Sequence, residues 1–327
     1  MSSGDLSSGG RFQGVRVSLI GLRLGMLGVW MAVVGISALV LTALILYMGL
    51  PTFYIYGVIG MVVLLNVVQW LFGPYIINSV YRVKEADRVD HAWLYSAVEQ
   101  LAAKSGLRRT PKIGIAEIEV PNAFAYGSPL TGPMVAVTKE LLNRMPRDEV
   151  EAVLAHEVGH LKHRDVVVML MISLLPAVIY YVGMTLYYSG LFGGDRRNGG
   201  SAYPVLMGMG LIALSFIFNI FVFYMSRIRE YFADTHAALT VDRGAKKLQR
   251  GLVRIMTLSG RIRPEKRHEA ATLKMFFITD PERAIEGGVD IDQTIEALMR
   301  AKPSVWSDLF STHPNPAKRI QHLAKFT

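Results

Sequence analysis

The sequence predicts a mainly α-helical multi-pass membrane protein with four transmembrane helices and an α+β domain on one side of the bilayer. Three observations lead there. The 327 residues are 51% hydrophobic with a mean hydropathy of +0.32, too apolar for an ordinary soluble chain of this size. The excess is gathered into four blocks almost free of charge, 24–48, 52–78, 167–189 and 204–225, each long enough to cross a hydrocarbon core of about 30 Å as a helix. Besides a polar N-terminal segment, 1–23, two pieces remain, 79–166 and 226–327, together about the size of one domain.

The first block, 24–48, follows a Ser/Gly start, is too long for the core of a cleaved signal and lacks a small-residue cleavage site, so it is expected to stay as a span. It pairs with 52–78 as an N-terminal membrane hairpin, 24–78, turning near Pro51; 167–225 forms a second hairpin. Arg11, Arg16, Arg23, Arg82, Lys84, Arg88, Lys162, Arg164, Arg227 and Arg229 flank the spans on one side. The other side carries only Arg196 and Arg197 with Asp195, while Tyr47, Tyr54, Tyr187, Tyr188 and Tyr203 collect there as an interfacial belt. The charge bias places both termini and the domain in the cytoplasm, at a plasma or inner membrane. It also explains the net charge of +9, which suits anionic lipid head groups. Nucleic acid is not an expected partner, because no basic stretch is interleaved with aromatics. The chain has no cysteine, which excludes disulfides and thiolate ligands and suits a reducing compartment.

In 79–166, Leu94, Val98 and Leu101 recur at helical spacing, with a start near His91 and a stop at Gly106. Ile113 and Ile115 alternate as a strand, and Met134 to Val137 form a second. Between them Pro121-Asn-Ala-Phe-Ala-Tyr-Gly127 reads either as an edge strand able to take an extended peptide or as one arm of an ordinary hairpin. Pro146 opens a helix with Asp148 and Glu149 in its first turn. With no breaker before the third span, this helix is expected to run on into the membrane.

That helix carries Ala155-His-Glu-Val-Gly-His160, an H-E-x-x-H motif. At about 3.6 residues per turn, His156 and His160 share a face and can hold one zinc ion, while Glu157 projects beside it as a base for zinc-bound water. His163 fails as a third ligand. Seven residues rise about 10.5 Å, whereas nitrogens on one zinc lie within about 4 Å. It is assigned to a surface or interface position. The better candidate is Glu230, which shares a helix face with Asp234. Glu230 would complete a His2Glu set, and Asp234 would bond the outward nitrogen of one histidine. The competing reading is a salt-bridged helix in which Arg227, Arg229 and Glu230 are ordinary charges. Topology favours the first, since His160 and Glu230 lie within about 10 Å of the same membrane face. Asn66, Gln69 and Asn219 lie in spans, where amides either bond between helices or mark a transport pathway, and Gly208 and Gly210 suit close helix packing.

At these residues the chain resembles the HtpX family of membrane-bound zinc metallopeptidases, relatives of the type I CaaX prenyl endopeptidases. The shared features are the two N-terminal spans, Asn122-Ala-Phe-Ala125, His156 to His160 followed by Arg164-Asp165, the two further spans, Glu230 to Asp234, and Thr312-His-Pro314 with Arg319-Ile320. The resemblance implies a gluzincin-like metalloprotease domain on the cytoplasmic side, one zinc ion per chain on His156, His160 and Glu230, Glu157 as catalytic base, and Asp234 in support. It implies Asn122, Ala123, Phe124, Ala125 and Tyr126 as the substrate-binding edge. His313 is open between an oxyanion stabiliser and a packing histidine fixed by Pro314, and Arg319 between a site residue and a structural ion-pair partner. Tyr126, His163 and His236 depart from the family pattern, where Thr, Asn and Gly are usual. The expected substrates are membrane proteins or peptides, cut in quality control. Narrow processing of lipidated peptides is the alternative, and a non-catalytic scaffold or transporter the remaining one. The sequence gives no oligomeric state.

Overall fold

The structure is a computed structural model, describing residues 52–192, 202–262, 278, 290–304 and 308–327. The expected first span, 24–48, and most of the turn at 190–203 lie outside these residues. So does most of the charged stretch from Arg261 to Glu269, to which the sequence assigned no role.

Among the described residues three helices are long and apolar enough to cross a membrane: α1 (Thr52–Val80), over Ile59–Val80, α5 (Asp165–Phe192) and α6 (Tyr203–Thr240). Val62 of α1, Ile172, Ile179 and Val182 of α5, and Phe218 and Met225 of α6 form their shared apolar core. Close approach of α5 and α6 depends on Gly208, where a Cβ would lie 2.5 Å from the Tyr187 nitrogen. Gly210 faces open space instead, so only one of the two glycines makes the crossing. Asn66 Nδ2 donates to Val62 O and Asn219 Nδ2 to Ser215 O, both 2.9 Å, so these two amides bond within their own helices rather than between helices.

Between the spans lie β1 (Lys84–Glu85), α2 (Ala92–Ser105), β2 (Lys112–Ala116), β3 (Ala123–Ser128), β4 (Gly132–Thr138), α3 (Lys139–Arg144) and α4 (Arg147–His163). Gly106 ends α2 in the left-handed conformation, φ 65°, with its N–H returned to the helix. The sheet runs β1-β2-β4-β3, with β2 and β4 parallel and β3 antiparallel to β4. This leaves β3 at the edge and also makes it one arm of a tight hairpin with β4, so the two readings of 121–127 describe the same strand. After the fourth candidate block come α7 (Gly244–Gly260), α8 (Ile291–Arg300) and α9 (Pro316–Leu323). Helix α4 is buried through most of its length, with Val150, Val153, Leu154 and Val158 in the main core. Its first turn is tied to α7, because the Arg254 Nε and Nη2 donate to both Glu149 oxygens at 2.6 and 2.9 Å.

Two features correct the sequence reading. Helix α4 does not run on into the membrane: Arg164 adopts a left-handed conformation, φ 54°, caps His160 and Leu161, and α5 starts afresh at Asp165. The continuous helix is α6, whose 38 residues pass from the apolar block through Glu230 and Asp234 without a break. A non-glycine left-handed residue costs about 1 kcal/mol, and no Gly or Pro announced it. The bend turns Asp165 back toward His160.

Candidate active site

Gly159 lets α4 and α6 cross closely: a Cβ there would lie 3.2 Å from Ala233 Cα and from His236 Cβ. Across this crossing His156, His160 and Glu230 come together, one ligand atom from each lying within 4.8 Å of the others. The Nε2 atoms of His156 and His160 are 3.2 Å apart. His160 Nε2 lies 3.5 Å from Glu230 Oε1, and His156 Nε2 lies 3.7 Å from Glu230 Oε2.

The outward nitrogens are both held by carboxylates. His156 Nδ1 meets Asp234 Oδ1 at 2.9 Å, and His160 Nδ1 meets Asp165 Oδ2 at 2.5 Å. An ionised carboxylate only accepts, so each Nδ1 carries a proton, and Nε2 is the atom that offers a lone pair when its ring is neutral. At 3.2 Å the two Nε2 atoms either share a proton or hold a cation between them. Four-coordinate zinc with bonds of about 2.1 Å sets its ligand atoms about 3.4 Å apart, so this donor set fits a metal.

Burial holds the pKa of His156 down. It would do the same to His160, but the Asp165 hydrogen bond and charge, with Glu230 and Glu157, lift that group to about 9. Glu157, buried beside the cluster, is pushed up to about 7 by desolvation, although the Ala125 N–H bonds to it. Arg319 is fully buried and reaches the site from α9. Its Nε donates to Asp234 Oδ2 at 2.9 Å, its Nη2 to Asp234 Oδ1 at 2.5 Å, and its Nη1 lies 3.2 Å from Glu230 Oε2. It is thus an ion-pair partner both of Asp234, which orients His156, and of the candidate ligand Glu230, and the two readings of Arg319 merge. His313 Nδ1 stands 3.5 Å from Glu230 Oε2. Arg227 steadies its segment by donating to Ser311 O at 2.8 Å and to Asp308 O.

Along the expected substrate edge, most side chains are occupied structurally. Asn122 Oδ1 accepts from Ile278 N at 3.0 Å, Ala123 and Phe124 are buried, and the Tyr126 hydroxyl donates to Asn78 Oδ1 at 2.5 Å. The departure at Tyr126 therefore fastens β3 to α1. The other two meet each other, with His163 and His236 rings edge to face at 5.8 Å and His236 Nε2 2.8 Å from Ser105 Oγ. His163 is an interface histidine between α4 and α6. Asp165 is the residue the sequence reading missed; its signal was an acid heading an apolar span, five residues after His160.

Apolar helices that bring the H-E-x-x-H segment of α4 against a glutamate on α6, beyond the intervening α5, mark a membrane-associated metallopeptidase. The chain belongs to peptidase family M48, whose family model matches residues 88–327. It is 39% identical over 311 residues to the protease HtpX homolog of Thermoplasma volcanium, covering 94% of this chain and 96% of that one. It is 41% identical over 308 residues to that of Aeropyrum pernix, covering 92% and 94%. Among solved structures it shares the fold of S. mikatae Ste24p, with a TM-score of 0.52 and 19% identity over 93% of this chain and 66% of that one. The chain is accordingly a membrane protease of the HtpX-like type, and the reading as a non-catalytic scaffold is set aside.

Proposed function

We propose that this protein is a zinc-dependent endopeptidase that cuts membrane or membrane-associated proteins on the cytoplasmic side, in the removal of damaged or misassembled chains. The observation that carries it is the convergence of two lone-pair imidazole nitrogens and one carboxylate, each histidine oriented from behind by an aspartate. His156, His160 and Glu230 would hold one zinc ion. Zinc bound there supplies a lowered pKa for water and polarises the scissile carbonyl.

The protein's own groups do the rest. Glu157 takes the proton from the attacking water and returns it to the leaving amine, and a carboxylate poised near neutrality suits both transfers. Asp234 and Asp165 fix the histidine rings, and Arg319 neutralises Asp234 in the dry interior. His313, on the Glu230 side of the cluster, is placed to donate to the developing oxyanion. Substrate adds to the outer edge of β3. Because the side chains of Asn122, Phe124 and Tyr126 are committed to the fold, pairing there reads mainly backbone, which suits a protease accepting many sequences. The basic flanks Arg82, Lys84, Lys162, Arg227 and Arg229 support the cytoplasmic placement.

Glu157→Gln keeps the shape and removes the base. The purified variant in detergent should retain its metal and lose at least about a hundredfold in cleavage of a membrane-protein substrate. Cleavage at the wild-type rate would rule out the mechanism.

A further inference from the structure

The β3–β4 hairpin descends along a membrane helix. Phe124 stacks near Tyr81, with ring centroids 5.1 Å apart; Tyr126 bonds to Asn78; and Ser128 Oγ donates to Leu71 O at 3.0 Å. These three contacts step down α1 toward its middle as β3 proceeds away from Glu157. The four residues from Phe124 to Ser128 span about 14 Å of strand, and the ten from Tyr81 to Leu71 about 15 Å of helix, so the two run side by side.

The depth of the tip follows from the length of α1. Its 29 residues measure about 43 Å, against about 30 Å of hydrocarbon. If the whole surplus of about nine residues projected on the domain side, the hydrocarbon would begin at Leu71. Any overhang on the other side, or any tilt, sinks Leu71 deeper.

The composition and bonding of the hairpin match that position. From Val120 to Thr138 there is no Asp, Glu, Lys, Arg or His. At the tip Leu130 is 56% exposed, next to Pro129. The hydroxyls there are bonded within the protein: Ser128 Oγ to Leu71 O, and Thr131 Oγ1, which accepts from Ser128 N at 3.1 Å, to Gly132 O at 3.1 Å. Ser128, Pro129 and Gly132 are ordinary turn residues; what sets this tip apart is an exposed Leu130 with no charge beside it and hydroxyls already bonded, which suits a low dielectric.

We infer that the Ser128–Gly132 tip is seated in the lipid, so that a substrate chain paired with β3 reaches Glu157 directly out of the bilayer. The occupant of this surface is the acyl-chain region of the membrane. Selection of juxtamembrane segments, those leaving a membrane helix in extended form, follows from it and rests on the reading of β3 as the substrate edge.

The chain has no cysteine, so Leu130→Cys and Val89→Cys each give a single labelling site in the full-length protein. Val89, 87% exposed among Asp87, Arg88 and Asp90, serves as the aqueous control. With an environment-sensitive probe, in vesicles of phosphatidylcholine and phosphatidylglycerol, the Leu130 site should emit at shorter wavelength. It should be quenched several-fold more by doxyl-labelled acyl chains than by aqueous iodide. Equal iodide quenching at the two sites would overturn the lipid seat. Leu130→Lys should then lose most cleavage of a membrane-anchored substrate while cutting a soluble peptide as wild type does; loss of both, or of neither, overturns the lipid-side approach. If wild type cuts neither substrate the peptidase reading fails, and the probe result still stands by itself.

Discussion

Asp165 opens the membrane helix α5 and holds the outward nitrogen of His160, so its removal should be felt as lost metal. Its Oδ2 is 2.5 Å from His160 Nδ1 and 3.2 Å from Arg229 Nε, and the residue is almost wholly buried. In Asp165→Ala, His160 loses the acceptor that fixes its tautomer and ring plane. Outer partners of this kind are worth about 10- to 100-fold in metal affinity, or about 1.4 to 2.7 kcal/mol. Arg229 also loses its buried partner, which adds about 1–3 kcal/mol to the cost in fold stability. Asp165→Asn separates the two effects, because the amide oxygen still accepts from Nδ1 while the charge is gone. The assay is competition with a graded zinc chelator on the detergent-purified protein, alongside its thermal midpoint. The expected order of affinity is wild type, then Asn, then Ala. An Ala variant that holds zinc as tightly as wild type would show that the contact does not orient His160.

Three other substitutions probe the neighbouring supports. Arg319→Met leaves Asp234 buried without its bidentate partner and should destabilise the fold by about 3–5 kcal/mol, read by denaturant unfolding. Gly159→Ala forces apart helices already at 3.2 Å from the new methyl; it should cost about 1–3 kcal/mol and weaken metal binding together, whereas Gly210→Ala should do neither. His322 is buried, bonds to Thr235 Oγ1 at 2.9 Å, and has its pKa held below the usual value by desolvation. A histidine depressed in the folded state contributes no penalty above its unfolded pKa of about 6.5 and destabilises the fold as pH drops through that value. With chelator present throughout, the thermal midpoint of His322→Gln should therefore fall less than that of wild type between neutral and mildly acidic pH.

The sequence revealed what periodicity and local chemistry encode. Three of the four apolar blocks, those within the described residues, gave the long helices, Gly106 and Pro146 gave a stop and a start, and the i to i+4 spacings gave the faces on which His156, His160, Glu230 and Asp234 meet. What stayed hidden depends on tertiary compensation. An arginine in the left-handed region is locally unfavourable, so the break at Arg164 carries no signal; the capped carbonyls of His160 and Leu161 and the returned Asp165 offset it. Arg319 lies 85 residues from Asp234, and nothing in its own neighbourhood tells a buried ion pair from a surface charge. The two-residue strand β1 is too short for any period. Asn122 was placed correctly on the edge segment, but its amide serves Ile278, a contact no spacing reports.

The central claim is that two segments on either side of a membrane hairpin make one metal site, and zinc content tests it most directly. Elemental analysis of the purified full-length chain should find one zinc per chain in wild type and in Glu157→Gln, and close to none in His160→Ala and in Glu230→Ala. A Glu230→Ala protein that keeps its full zinc would contradict the account, because the second half of the site would then lie elsewhere.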